Sequence, residues 1–161
     1  LLDQNQKQNV FTVTDKKMTR FNITLDEAIK TVMWTLENGI GGEIVVPKLK
    51  SYNILDLVSA VNDKKKIKII GIRPGEKLDE EMISINDSLH AIELKNYFLI
   101  LPYDKNKFKK KYLNEIKKLE NLKPFSYNSK DNSYFKVAEL KKLIHSQIEK
   151  KLVEFWLFYR F

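Results

Sequence analysis

Cysteine is absent from the 161 residues. That excludes a disulfide framework, a thiol nucleophile and thiolate metal ligands, and it fits a reducing compartment, so the cytoplasm is the expected location. The two histidines, His90 and His145, lie far apart with no metal-ligand spacing, and no metal is expected. No apolar run reaches the roughly 20 residues of a membrane span, so no membrane role is expected. Glycine is sparse, at five positions. Three of them, Gly39, Gly41 and Gly42, follow a helical pattern and precede a strand, the reverse of the strand-to-helix order of a dinucleotide fingerprint. Arginine is the scarcest cation. Among 29 basic residues it stands only at 20, 73 and 160. No signal peptide is visible, and a first residue of Leu1 suggests a piece of a longer protein.

What is present is lysine. The net charge is +8, concentrated in 105–123, 64–66 and 150–151. A basic total can signal nucleic acid, with Phe108, Tyr112 and Phe125 as interleaved aromatics. Nucleic-acid readers lean on arginine for base edges and stacking, and arginine is missing from these runs. A solvated lysine surface is therefore the favoured reading. With 43% hydrophobic residues the chain is long enough for one domain with a real core.

Along the chain, Phe11–Thr14 reads as a strand. Thr24-Leu-Asp-Glu27 is a capping box before a helix with Ala28, Ile29, Val32, Met33 and Leu36 at helical spacing. Strands are expected at 43–47 and 66–72, the second largely apolar and hence central. Ser51 is the candidate cap of a helix striped by Ile54, Leu55, Val58 and Val61. Leu78–Ser84 reads as a short acidic helix. Residues 90–94 and 97–101 form a hairpin across Lys95-Asn96. A lysine-rich amphipathic stretch with Phe108, Tyr112 and Ile116 on one face follows, then a polar loop at 124–133. A last helix runs over 137–152, with Val137, Leu140, Ile144 and Ile148 inward. Alternating strands and helices give the α/β class. One unit is expected over 1–149, followed by an aromatic tail of undefined role at 150–161.

The most informative stretch is 69–84. Arg73 follows an apolar run at the start of a Pro-Gly turn, where a lysine-rich chain has chosen the planar fork that suits carboxylate or phosphate bidentately. Glu76, three residues on, can accept hydrogen bonds from vicinal sugar hydroxyls. The pair suits a nucleotide diphosphate sugar, and it equally suits a local Arg–Glu ion pair. Arg20, just before a capped helix, is either a second cation on the same anion or a surface arginine. Asp79, Glu80 and Glu81 are best read as the first turn of a helix, where the dipole favours acids.

These motifs, in this order, resemble the C-terminal half of an extended short-chain dehydrogenase/reductase, especially the UDP-N-acetylglucosamine 4,6-dehydratases of the inverting, pseudaminic-acid-pathway type. The resemblance is carried by Phe11-Thr-Val-Thr-Asp15, Met18-Thr-Arg-Phe21, Ile23-Thr-Leu-Asp-Glu-Ala28, Gly41-Gly-Glu-Ile44 with Pro47-Lys48, and Ile67 to Leu78 with Glu80-Glu-Met-Ile-Ser84. It implies a Rossmann-type enzyme whose N-terminal half is absent here. That half would hold NADP or NAD and a Tyr-x-x-x-Lys pair, and this half would bind the UDP-sugar. The family removes hydride from C4, eliminates water across C5–C6 and returns hydride to C6, giving a 4-keto-6-deoxy sugar for surface polysaccharide or flagellin glycosylation. By analogy Arg20 and Arg73 would hold the pyrophosphate, with Thr19 in the same motif, and Glu76 the uridine ribose, while Pro74 and Gly75 shape the turn. The implied partners are a UDP-sugar, the Rossmann half and further copies of the full enzyme. The chain departs from the family at Asn22, where a large apolar residue is common, at Asp79, where histidine or tyrosine is common, and at Lys136, where a Ser/Thr cap is usual.

No catalytic residue is expected within this chain. It has no Gly-x-x-Gly-x-x-Gly, and no Tyr-x-x-x-Lys in a suitable context, since Tyr52 is followed four on by Asp56 and Tyr112 by Ile116. The parent would be a lyase, and this chain alone inactive. A related UDP-sugar epimerase or reductase shares the same half. A lysine-rich nucleic-acid module and an oligomer-contact domain using the aromatic tail are the alternatives from other classes.

Overall fold

The computed structural model describes residues 10–64, 66–119 and 123–158, the side chains of 149–158 excepted. The aromatic tail's side chains therefore lie outside the described residues. The described chain is mixed α/β and divides into two compact units that interleave along the sequence, one made of 1–20, 51–79 and 133–161, the other of 21–50 and 80–132.

In the first unit, β1 (Val10–Val13) pairs in parallel with β5 (Lys66–Ile69), Phe11 opposite Ile67. The pairing runs on past β5, because Ile70 N–H donates to the Val13 carbonyl and Gly71 N–H to that of Thr14. Phe11 and Val13 are buried against Val58 of α2 (Ile54–Val61), with Ile54, Leu55 and Val61 around them. α2 also packs on α5 (Val137–Phe158), in which Leu140 is buried and Ile148 is exposed. β2 (Thr19–Phe21) pairs with β4 (Ser51–Asn53).

Three expectations change here. Ser51 is not the cap of α2. It is fully buried within β4 and bonded on both sides to the 133–135 segment, and Asn53 caps instead, its Oδ1 accepting from Leu55 N–H at 2.8 Å. β5 is not central among the described residues. All four of its residues are exposed, as are Ile70 and Ile72, because apolarity encodes a face to be covered without saying what covers it. Nor is 78–84 a helix. Residues 81–83 form β6, and the short helix α3 (Ile85–Ser88) begins later, capped by Ser84. The acidic residues are engaged in tertiary bonds that local propensity cannot anticipate.

In the second unit, β3 (Ile44–Pro47), β8 (Tyr97–Ile100) and β7 (Ala91–Glu93) form an antiparallel sheet in the order β3-β8-β7, and β6 pairs with β9 (Tyr127–Asn128), a strand inside the expected polar loop. The 91–100 hairpin is as expected. α4 (Asn106–Leu119) lays Phe108 and Tyr112 on the sheet among Ile92, Leu99 and Leu101, the core of this unit. α1 (Leu25–Asn38) shows the expected capping box in full. Glu27 N–H donates to Thr24 Oγ1, and Thr24 N–H to Glu27 Oε2 at 2.8 Å. Thr24→Ala is expected to lower stability by about 1 kcal/mol, read as a lower urea midpoint at unchanged slope. α1 buries none of its residues. Trp34 stacks on Tyr97 at 4.4 Å, while Leu25, Ile29, Val32, Met33 and Leu36 stay exposed.

The C-terminal end of α1 explains part of the lysine excess. Lys111 Nζ donates to the Asn38 carbonyl at 2.9 Å and Lys107 Nζ to that of Gly41, so cations from α4 meet the negative end of α1. A Cβ at Gly39 would stand 2.6 Å from the Thr35 carbonyl oxygen, which is why glycine ends this helix. No helix among the described residues is long and apolar enough to cross a membrane.

Candidate functional site

Thr19, Arg20, Arg73, Pro74, Gly75 and Glu76 fall in the first unit, on β2 and on the loop that leaves the C-terminal end of β5. Parallel strands favour ligands at that end, where connections emerge. The loop contains one tight turn. Glu76 N–H donates to the Arg73 carbonyl at 3.0 Å across Pro74 and Gly75, and Gly75 has φ +84°. Proline presets the first central residue of a type II turn and glycine accepts the left-handed second, so Pro74 and Gly75 do shape it. Glu76 closes the turn a second time, its Oε2 accepting from Arg73 N–H at 3.1 Å. The Arg–Glu pairing is thus main chain to carboxylate. Among the described residues the Arg73 guanidinium is exposed with no ion-pair partner. A half-buried Glu76 orients the turn, and the fork of Arg73 stands in solvent.

Arg20 is held differently. Its Nη1 donates to the carbonyls of Thr19 at 2.6 Å and Leu78 at 3.0 Å, and Nη2 to that of Lys77 at 2.9 Å. It is a fixed cation bound to the loop just after the Arg73 turn. Thr19 is buried, and its hydroxyl donates to Asp79 Oδ1 at 2.8 Å. The structure brings Thr19 and Arg20 together with 77–79, a link across almost 60 positions that no sequence spacing reveals.

Glu80 and Glu81 belong to the second unit. Glu80 Oε2 accepts from Phe21 N–H, and Glu81 Oε1 from the Ser126 hydroxyl. Tyr127 donates its hydroxyl to the Leu49 carbonyl and accepts from Leu49 N–H, and burial pushes its phenol up despite the amide bond from Leu49. One Tyr-x-x-x-Lys spacing exists, Tyr103 with Lys107. Tyr103 is 94% exposed ahead of α4 and Lys107 is engaged by the Gly41 carbonyl, so they do not form a catalytic pair. Among the described residues no group of three His, Asp or Glu could hold a metal. No glycine there opens a strand-to-helix cradle for a dinucleotide, so the described residues do not fit a nicotinamide cofactor.

A parallel pair followed by a turn that presents an exposed arginine places this chain in the mixed α/β class. The chain matches the family described as "Polysaccharide biosynthesis protein" over residues 2–102, and it belongs to that family. It is 48% identical over 90 residues to a Campylobacter jejuni "UDP-N-acetylglucosamine 4,6-dehydratase (inverting)", covering 56% of this chain and 27% of that one. It is 32% identical over 146 residues to a Rickettsia conorii "UDP-glucose 4-epimerase", covering 86% and 42%. Among solved structures, that of Pen from Bacillus thuringiensis superposes with a TM-score of 0.73 at 29% identity, covering 90% of this chain and 42% of that one. The chain spans less than half the length of each.

Proposed function

We propose that this chain is the UDP-sugar-binding portion of a nucleotide-sugar 4,6-dehydratase. The parent would be a lyase that takes UDP-N-acetylglucosamine to a 4-keto-6-deoxy sugar for glycosylation. The observation that carries this reading is the Arg73–Glu76 turn, which leaves a guanidinium fork exposed at the end of a parallel strand. Identity to the Campylobacter dehydratase supports the choice of enzyme. Arg73 binds the diphosphate bidentately, Arg20 adds a fixed positive charge, and Glu76 Oε1 faces the ribose hydroxyls. Thr19 contributes from behind, through its buried hydroxyl.

The cofactor, NADP or NAD, belongs to a Rossmann half outside this chain. The exposed stripes of α1 and of β5 with 70–72 are apolar surfaces suited to being covered by further protein, the Rossmann half or another copy. The Rickettsia similarity favours a second reading, in which the same portion serves a UDP-sugar epimerase or reductase. A cytoplasmic site of action fits the cysteine-free composition.

The test is calorimetric titration of the chain with UDP, uridine and inorganic pyrophosphate, beside an assay with UDP-N-acetylglucosamine and NADP. UDP is expected to bind, more tightly than uridine, with no turnover. Absence of UDP binding overturns the reading, and turnover by the chain alone overturns the assignment of the chemistry elsewhere.

A further inference from the structure

The geometry points to Asp79 as a positioning residue that sets the Arg73 turn for its anion. This rests on the UDP-sugar reading above and adds a residue to it. Residues 72–76 hang between two anchors. At the front, Ile70 and Gly71 donate to the Val13 and Thr14 carbonyls. At the back, the main chain of β2 and two side chains hold 77–79. Thr19 N–H donates to the Leu78 carbonyl at 2.9 Å, Arg20 to the Lys77 and Leu78 carbonyls, and the Thr19 hydroxyl to Asp79 Oδ1. Between the anchors, the bonds of the turn among the described residues are those it makes with itself.

The Thr19–Asp79 bond is the fastening of the back anchor that joins two side chains, and one of its partners is only 4% exposed. A buried hydroxyl that loses its acceptor must find another or stay unsatisfied. Removing Asp79 therefore loosens one fastening of the stretch whose carbonyls grip Arg20. The loop then samples more conformations, and the fork of Arg73 must be ordered again each time an anion binds, which lowers affinity without removing any group that touches the ligand. The requirement at 79 is an acceptor at the position of Oδ1, not a charge.

Four variants decide it: Asp79→Ala, Asp79→Asn, Arg73→Ala and the double variant of Asp79→Ala and Arg73→Ala, each titrated with UDP. Asp79→Ala is expected to weaken UDP about tenfold. Asp79→Asn keeps the acceptor and is expected to stay within about twofold of the parent. In the Arg73→Ala background, Asp79→Ala is expected to cost clearly less than it does in the parent, because most of its effect passes through a side chain it does not touch. Amide exchange of the free chain is the second measurement, and Asp79→Ala should speed exchange at Glu76 and Thr19 specifically. UDP affinity unchanged in Asp79→Ala, or losses at 73 and 79 that simply add, overturns the inference while the UDP-sugar reading stands. A parent chain that fails to bind UDP overturns that reading, and the ligand role of Asp79 with it.

Discussion

Arg73→Ala is expected to weaken UDP binding by roughly ten- to a hundredfold and to leave thermal stability unchanged. The size follows from the charge-assisted contact between a guanidinium and a phosphate at an exposed site, worth about 1.5–3 kcal/mol in all. The selectivity follows from the free structure. The side chain is exposed and makes no ion pair among the described residues, so removing it leaves nothing unsatisfied. Arg73→Lys should recover only part of the loss, since an ammonium keeps the charge but not the fork. Uridine, which lacks phosphate, should bind the parent and Arg73→Ala alike. Titration with UDP and uridine, beside a thermal melt, makes the check. Equal losses for both ligands would place the anion elsewhere.

Phe108→Ala should do the opposite, with a stability loss of about 3–5 kcal/mol and little direct effect on the Arg73 turn. Phe108 is fully buried among Ile92, Leu99, Leu101 and Tyr112, and truncating a core aromatic removes transfer energy and leaves a cavity. All of its cluster belongs to the second unit, whereas Arg73 and Asp79 belong to the first. Urea unfolding followed by circular dichroism reads the loss directly. Phe108→Leu, which refills much of the space, should recover more than half of it. A drop under 1 kcal/mol for the alanine variant would mean that α4 does not carry the core of its unit.

The two predictions separate binding from folding. Lysines in α4 illustrate the same division. Lys107 and Lys111 look like members of a basic surface run, yet both donate to carbonyls at the end of α1. Charge that reads as an invitation to nucleic acid is here partly the cap of a neighbouring helix.

Local rules written in consecutive residues were legible. The Thr24–Glu27 box, the 91–100 hairpin, the Phe108 and Tyr112 face and the Pro74-Gly75 turn each need only a few residues with fixed chemistry, so sequence alone determines them. Arginine at 73 left an anion's fork and a local ion pair both open in sequence, and the structure shows its guanidinium exposed with no ion pair among the described residues. Long-range partners decided the rest. Asn53 displaced Ser51 as a cap because Ser51 has a second strand to join, and the acidic run did not become a helix because Asp79 and Glu80 found Thr19 and Phe21. A carboxylate carries no sequence mark for a hydroxyl 60 positions away. The sequence by itself therefore determined the family and the turn, and singled out Arg73 within it. Only the tertiary structure decided what holds that turn in place, because the bonds that hold it close between segments far apart in the chain, and their geometry exists only once both are folded.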